Sequence, residues 1–309
     1  MFADNEPTLV LLLRHGFKEV GRTQDMFRIV TGGKRRRMTT PLVNASKQDG
    51  VMVLELRNPP ANTYSYEMMR EIDAHILGAR MDEAVHVLLL TGAPPPPDAK
   101  KPTEFFCAGA DIEMLQKSAP YFKYNFCLHA NETLCRLEQT PKLVIAAING
   151  HCVGGGLEIA LACDLRIARR QAGKVGLPEV ALGVLPGTGG TQRLARALGR
   201  AKAIELMAEG ATVEVDEAKA LGLVNAVLDV PADGFRAAAL EYARRFVPPA
   251  KASRAVGLIK RAVTTGLEVG LEQGLALERE LQQRLFESKD AAEGIAAYNA
   301  RRPPKFSGT

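Results

Sequence analysis

An α/β fold with a helical C-terminal region is the class this sequence predicts, and two observations carry the prediction. From residue 50 onward, short apolar runs alternate with longer amphipathic segments, the signature of repeated strand and helix units. After Leu223 to Leu228 that alternation stops, and segments of helical spacing follow with few strand formers. The 309 residues are 46% hydrophobic and 24% charged, an ordinary globular composition that leaves one large domain with an appendage as the expectation.

Taken in order, Val51 to Leu56 reads as a strand, Tyr66 to Arg80 as a helix and Val85 to Thr91 as a buried strand. Gly92 to Thr103 reads as a surface loop. It holds consecutive prolines from Pro94 to Pro97, whose locked φ and missing N–H donors forbid helix and central strand alike. Pro120 to Gln139 follows as a helix, and Leu143 to Ile148 as a strand running into Asn149-Gly150. Gly156 to Cys163 opens another helix, and Leu165 to Ala168 is a short strand. Phe235 to Phe246, Ser253 to Thr265, Leu271 to Leu285 and Ala291 to Arg301 carry helical spacing. Leu271, Leu275, Leu277, Leu281 and Leu285 give one apolar face wide enough to pack on a partner or on the chain's own core, and spacing alone leaves both open.

Several function classes are disfavoured at this level. The longest apolar stretches, such as Leu143 to Ile148, fall well short of the roughly 20 residues that span a bilayer. Cys107, Cys127, Cys135, Cys152 and Cys163 form no CxxC pair of the kind zinc or dithiol chemistry prefers, and they read as reduced thiols in a cytoplasm-like compartment. The net charge of +5 is modest and partly carried by the run Lys34 to Arg37, so nucleic acid is not the expected partner. Residues 1–37, ahead of Met38, read as an extension: a tail, or translation from a start codon placed too early. Asp4, Glu6, Glu19 and Asp25 interrupt what a mitochondrial presequence would keep free of acids.

Chemistry concentrates in three glycine-bearing segments: Phe105 to Ile112, Asn149 to Glu158 and Gly176 to Gly190. Gly154 to Gly156 follow a predicted strand and open a predicted helix, so their N–H groups are the unpaired donors of a helix N-terminus. A tight turn with close packing explains the glycines as well. Glu158 lies in the first turn after those donors, where a carboxylate gains from the helix dipole; a glutamate facing water is the plainer alternative. Glu179, between Pro178 and the apolar run Val180 to Leu182, would cost free energy to bury without a role, although it also fits a surface loop. Other templates fail: Gly187-Thr188-Gly189-Gly190 lacks the dinucleotide spacing, no Walker lysine or GxSxG elbow exists, and the five histidines have no metal-ligand spacing.

In this order the three segments closely resemble the enoyl-CoA hydratase/isomerase, or crotonase, family. The flanks Pro141 to Gly150 and Thr191-Gln192-Arg193-Leu194 resemble it too, and the likeness runs from about Leu42 to Phe306. It implies a crotonase-like spiral of ββα units over residues 38–230 and a C-terminal helical oligomerisation region over 231–309, assembled as a homotrimer or dimer of trimers. It also implies that the backbone N–H groups of Ala110 and Gly155 form an oxyanion hole for the thioester carbonyl, a type of donor worth about 3 kcal/mol each.

By the same likeness, Glu158 is the base toward water and Glu179 the acid toward the α-carbon, with Gly187 beside the water. Asp111 and Ile112 are implied to contact the acyl-CoA, and Ala61, Asn62 and Thr63 to border its adenine and pantetheine. The implied activity is hydration of a 2-enoyl-CoA to a 3-hydroxyacyl-CoA. Coenzyme A is part of the substrate, and neither a separate cofactor nor a metal is expected. The chain departs from the family pattern at Glu113, where many hydratases carry a lysine, and in the proline-rich insertion, leaving Arg57, Lys117 or Lys260 as phosphate partners. A Δ3,Δ2-enoyl-CoA isomerase and a non-catalytic RNA-binding relative are the competing expectations.

Overall fold

The computed structural model describes residues 40–99 and 103–309; the extension read over residues 1–37 lies outside them. Two sheets organise the chain. The larger joins β1 (Val43–Gln48), β2 (Val51–Leu56), β3 (Val87–Gly92), β5 (Leu143–Ile148), β7 (Leu165–Arg169) and β10 (Ala226–Leu228), in that spatial order. The smaller joins β4 (Phe105–Cys107), β6 (His151–Val153), β8 (Lys174–Gly176) and β9 (Thr212–Glu214). β3, β5 and β7 run parallel in the first sheet, and β4, β6 and β8 run parallel in the second. From β3 to β8 successive strands therefore alternate between the sheets, so each turn of the chain there adds one strand to each, as expected of a spiral of ββα units.

The long strands read as unbroken apolar runs because both faces of the large sheet are covered. Leu54, Leu56, Leu88, Leu90, Val144, Ala146 and Ile148 face one core with Met68, Met69, Ile72 and Ile76 of helix α1 (Tyr66–Met81). The alternate residues Val51, Val53, Val87, Leu89, Ile145 and Ala147 face a second core. Phe235, Ala239 and Ala243 of α8 (Ala232–Arg244) close that side. The first helix of the C-terminal region thus belongs to the sheet it covers.

Some predicted boundaries move. The strand expected from Val85 starts at Val87, because the Val85 amide donates to the Asp82 carbonyl (3.0 Å) in a turn that ends α1. β1 was not predicted; all but its first residue is exposed, so it lacks the apolar pattern of a buried strand. It pairs with β2 through Asp49 and Gly50, both at positive φ, the two-residue hairpin turn that Asp-Gly favours.

The remaining helices are α2 (Ile112–Lys117), α3 (Pro120–Glu138), α4 (Gly155–Leu161), α5 (Gly190–Leu198), α6 (Arg200–Glu209), α7 (Val215–Ala220), α9 (Ser253–Gly266), α10 (Leu271–Phe286) and α11 (Lys289–Asn299). On α10, Leu281 is buried, whereas Leu271 and Leu275 are 79% and 43% exposed. Among the described residues no helix is long and apolar enough to cross a membrane, and no three His, Cys, Asp or Glu side chains cluster as metal ligands would.

Candidate active site

Each of the three glycine-bearing segments includes residues of a strand of the small sheet. Because β4, β6 and β8 are parallel neighbours, the residues after their carboxyl ends meet on one side, where open α/β sheets bind ligands. Ala110 follows β4, Gly154 to Glu158 follow β6, and Glu179 follows β8. Residues more than 60 positions apart in sequence are thereby assembled by strand pairing alone.

Gly154 sits at φ 56° and ends β6 with a turn closed to a side chain; its N–H donates to the Gly176 carbonyl (2.9 Å), tying the β6 end to β8. α4 starts at Gly155. A Cβ on Gly155 would lie 2.5 Å from the Tyr64 ring, so glycine is required there for close packing. Among the described residues the amides of Ala110 and Gly155 have no acceptor, although their neighbours are tied down. Tyr64 N–H donates to the Gly109 carbonyl (2.9 Å) and Asp111 N–H to the Tyr64 carbonyl (3.0 Å). Gly109 approaches α4 so closely that a Cβ on it would lie 3.0 Å from the Gly155 nitrogen.

Glu158 is 2% exposed. Its Oε1 accepts from the amides of Thr188 and Gly190, each at 2.7 Å, and its Oε2 accepts from the Thr188 hydroxyl. Burial pushes this carboxyl above the usual range, while the three hydrogen bonds pull it back toward the ionised form. Glu179 differs. It begins a single 3-10 turn over Glu179–Leu182, and its buried Oε2 has no hydrogen-bond partner among the described residues. Burial, with the charge of Glu158 as a smaller contribution, pushes its carboxyl up to about 7.

The other predicted residues lie around this centre, several with their polar atoms already engaged. Asn62, at φ 50°, donates from Nδ2 to the Ala93 and Phe105 carbonyls (3.0 and 2.9 Å) and accepts from the Asn58 amide (3.2 Å). Ala61 accepts the Ala108 amide (3.0 Å) through its carbonyl, and Thr63 accepts Asn58 Nδ2. Asp111 caps α2 by accepting the Met114 amide (3.0 Å). Ile112 is 54% exposed, and the Gly187 carbonyl accepts from Asn131 Nδ2 (3.1 Å).

One phosphate candidate is corrected. Lys260 is buried, with Nζ 2.9 Å from Asp164 and donating to the Leu137 and Lys142 carbonyls, which uses all three of its protons. Arg57 and Lys117 stay largely exposed beside Glu55 and Glu113.

Sequence reasoning missed Tyr64, Thr188, Asn131 and Arg193. Tyr64 and Thr188 are both 2% exposed, and their hydroxyls lie 3.0 Å apart. Arg193, paired with Glu138 at 3.0 Å, donates to the Thr188 carbonyl and so holds the Pro186 to Gly190 turn from behind. Thr188 stood inside a glycine segment already singled out. Tyr64 directly follows Ala61 to Thr63, but nothing local marks its contact with a residue 124 positions away.

The family model for enoyl-CoA hydratase/isomerase matches residues 46–309. The mitochondrial methylglutaconyl-CoA hydratase of Rattus norvegicus is 35% identical over 262 residues, covering 84% of this chain and 80% of that protein. A putative enoyl-CoA hydratase/isomerase of Bacillus subtilis is 37% identical over 263 residues, covering 85% and 96%. The crystal structure of an enoyl-CoA hydratase from Geobacillus kaustophilus superposes with a TM-score of 0.81 at 42% identity, covering 88% of this chain and 98% of that one. With the strand alternation and the three segments in place, these matches establish that the chain belongs to the enoyl-CoA hydratase/isomerase family and has its crotonase fold.

Proposed function

We propose that the protein is an enoyl-CoA hydratase, converting a 2-enoyl-CoA to a 3-hydroxyacyl-CoA. The observation that carries this reading is the contrast between two carboxyls beside one pair of unbonded amides. Glu158 is held by three donors, whereas Glu179 has a buried, unpartnered oxygen and a carboxyl raised to about 7. A carboxylate held by three donors suits a base, and a carboxyl that burial raises to about 7 suits an acid.

In this mechanism Glu158 takes a proton from water as the water oxygen bonds to the β-carbon. The electron pair of the double bond moves toward the thioester, and the carbonyl oxygen gains negative charge that the Ala110 and Gly155 amides stabilise. Glu179 then gives its proton to the α-carbon. Loss of a proton from Glu158 and uptake of one at Glu179 resets the pair, so the net change is addition of one water.

Coenzyme A enters as part of the substrate, with Asp111, Ile112, Ala61 to Thr63 and Gly187 around it and Arg57 or Lys117 toward its phosphates. The exposed Leu271, Leu275, Phe286 and Ile295 of the C-terminal helices support assembly as a homotrimer or dimer of trimers. Incubating the protein separately with a 2-enoyl-CoA and a 3-enoyl-CoA tests the reaction. Formation of 3-hydroxyacyl-CoA from the 2-enoyl thioester is the expected result; conversion of the 3-enoyl thioester to the 2-enoyl isomer with no hydration would replace the hydratase by an isomerase.

A further inference from the structure

Three buried oxygens form a chain behind the proposed base. Tyr64 Oη lies 3.0 Å from Thr188 Oγ1, and Thr188 Oγ1 contacts Glu158 Oε2. As the base of the proposed reaction Glu158 is ionised, and an ionised carboxylate only accepts hydrogen bonds, so Thr188 donates to it. Its remaining partner, Tyr64, must then donate to Thr188. The phenol keeps its proton, since burial and then the nearby charge of Glu158 hold it well above its ordinary value.

Counting acceptor sites sharpens this. A carboxylate offers about four lone-pair sites. The Thr188 and Gly190 amides take both on Oε1, and the Thr188 hydroxyl takes one on Oε2. One site, on Oε2, is left. We propose that Tyr64 and Thr188 are positioning residues, which hold Glu158 as an oriented carboxylate with a single acceptor site directed to the water it activates. This rests on the hydratase reading.

Tyr64 is itself fixed by stacking on Phe126 (centroids 5.6 Å apart) and by its contact with Gly155. The chain therefore also ties the orientation of the base to the glycine whose amide serves the oxyanion. The other titratable groups facing Glu158 are Cys127 from α3, Glu179 from the 3-10 turn and Arg193 from α5. None of them bonds to Oε2.

The test uses Tyr64→Phe, Thr188→Val and Thr188→Ser in the full chain, with two readouts. In steady-state hydration of crotonyl-CoA, the acidic limb of the kcat profile moves up by about 0.5 pH unit in Tyr64→Phe, which loses one neutral hydrogen bond, and by about 1 in Thr188→Val, which loses a donor to the carboxylate itself. Under the same proposal kcat falls about tenfold or more in Thr188→Val with KM changed less than about threefold, and Thr188→Ser restores the native profile. In pH-difference infrared spectra of the resting proteins, the carboxyl band that Glu158→Gln removes titrates at higher pH in the Phe and Val variants.

An unchanged acidic limb and an unchanged band in soluble, folded Tyr64→Phe would overturn the proposal. A shifted band in a protein that hydrates no enoyl-CoA would sustain the positioning role and overturn the hydratase reading instead.

Discussion

A Cβ built on Gly154 would lie 3.2 Å from Glu179 Oε1, so the second carboxyl rests against the backbone that opens the helix bearing the first. Glu158 and Glu179 reach one place through neighbouring strands, β6 and β8, whose ends are joined by the Gly154 to Gly176 hydrogen bond. The consequences of that juxtaposition can be measured.

The proton on Glu179 gives the activity its pH dependence. With its carboxyl at about 7, the proton-donating form is lost as pH rises through that value, so hydration rates fall on the alkaline side with an apparent pKa near it. Replacing Glu179 by Gln removes the donor, lowers kcat by about 10²- to 10⁴-fold and abolishes this limb. A residual alkaline limb in Glu179→Gln would assign it to another group.

The same group links stability to pH. Its folded value of about 7 lies above the ordinary 4.5, so the folded state holds the proton more tightly than the unfolded state. That contribution is complete below 4.5 and is lost as pH rises through about 7. Glu179→Gln should therefore gain about 1 kcal/mol relative to the native protein between pH 5 and pH 8 in urea unfolding, the shift being discounted for the group's partial exposure. Equal differences at both pH values would show that Glu179 is not desolvated.

Gly155 is sterically committed. Alanine there places a methyl group 2.5 Å from the Tyr64 ring, and forced repacking of this kind costs about 1–3 kcal/mol. Gly155→Ala should lower Tm and reduce kcat more than it raises KM, because both the amide and the Tyr64 hydroxyl move. A variant of native stability and activity would show that Tyr64 has room to give way.

Asn62, beside the proposed substrate path, bridges the loop after β2 to the Ala93 and Phe105 carbonyls through its side chain. Asn62→Ala leaves buried carbonyls unpaired and places a residue less suited to positive φ at that turn, costing about 2 kcal/mol or more. Thermal denaturation should register the loss. A raised KM at unchanged Tm would show that Asn62 acts on the substrate rather than on the loop.

The parts of the fold legible in the sequence were those with a local signature. β2, β5 and α1 carry enough apolar residues at one period to declare themselves, and Pro94 to Pro97 mark a loop by covalent geometry. β4, β6 and β8 span three residues each, too few for a period, yet these strands assemble the site. The three segments were found because glycines and carboxylates stand together in them. Tyr64 was not, because a lone tyrosine between Thr63 and Ser65 carries no local sign of burial or of its partner across the fold.

Ultraviolet absorbance of the conjugated enoyl thioester tests the central claim most directly, with crotonyl-CoA offered to the native protein, Glu158→Gln and Glu179→Gln. Rapid loss of absorbance with the native protein, collapsing by about 10²-fold or more in each variant, is the result expected of a hydratase working through paired carboxyls. Absorbance that persists with the native protein on both short and long 2-enoyl-CoA would contradict it.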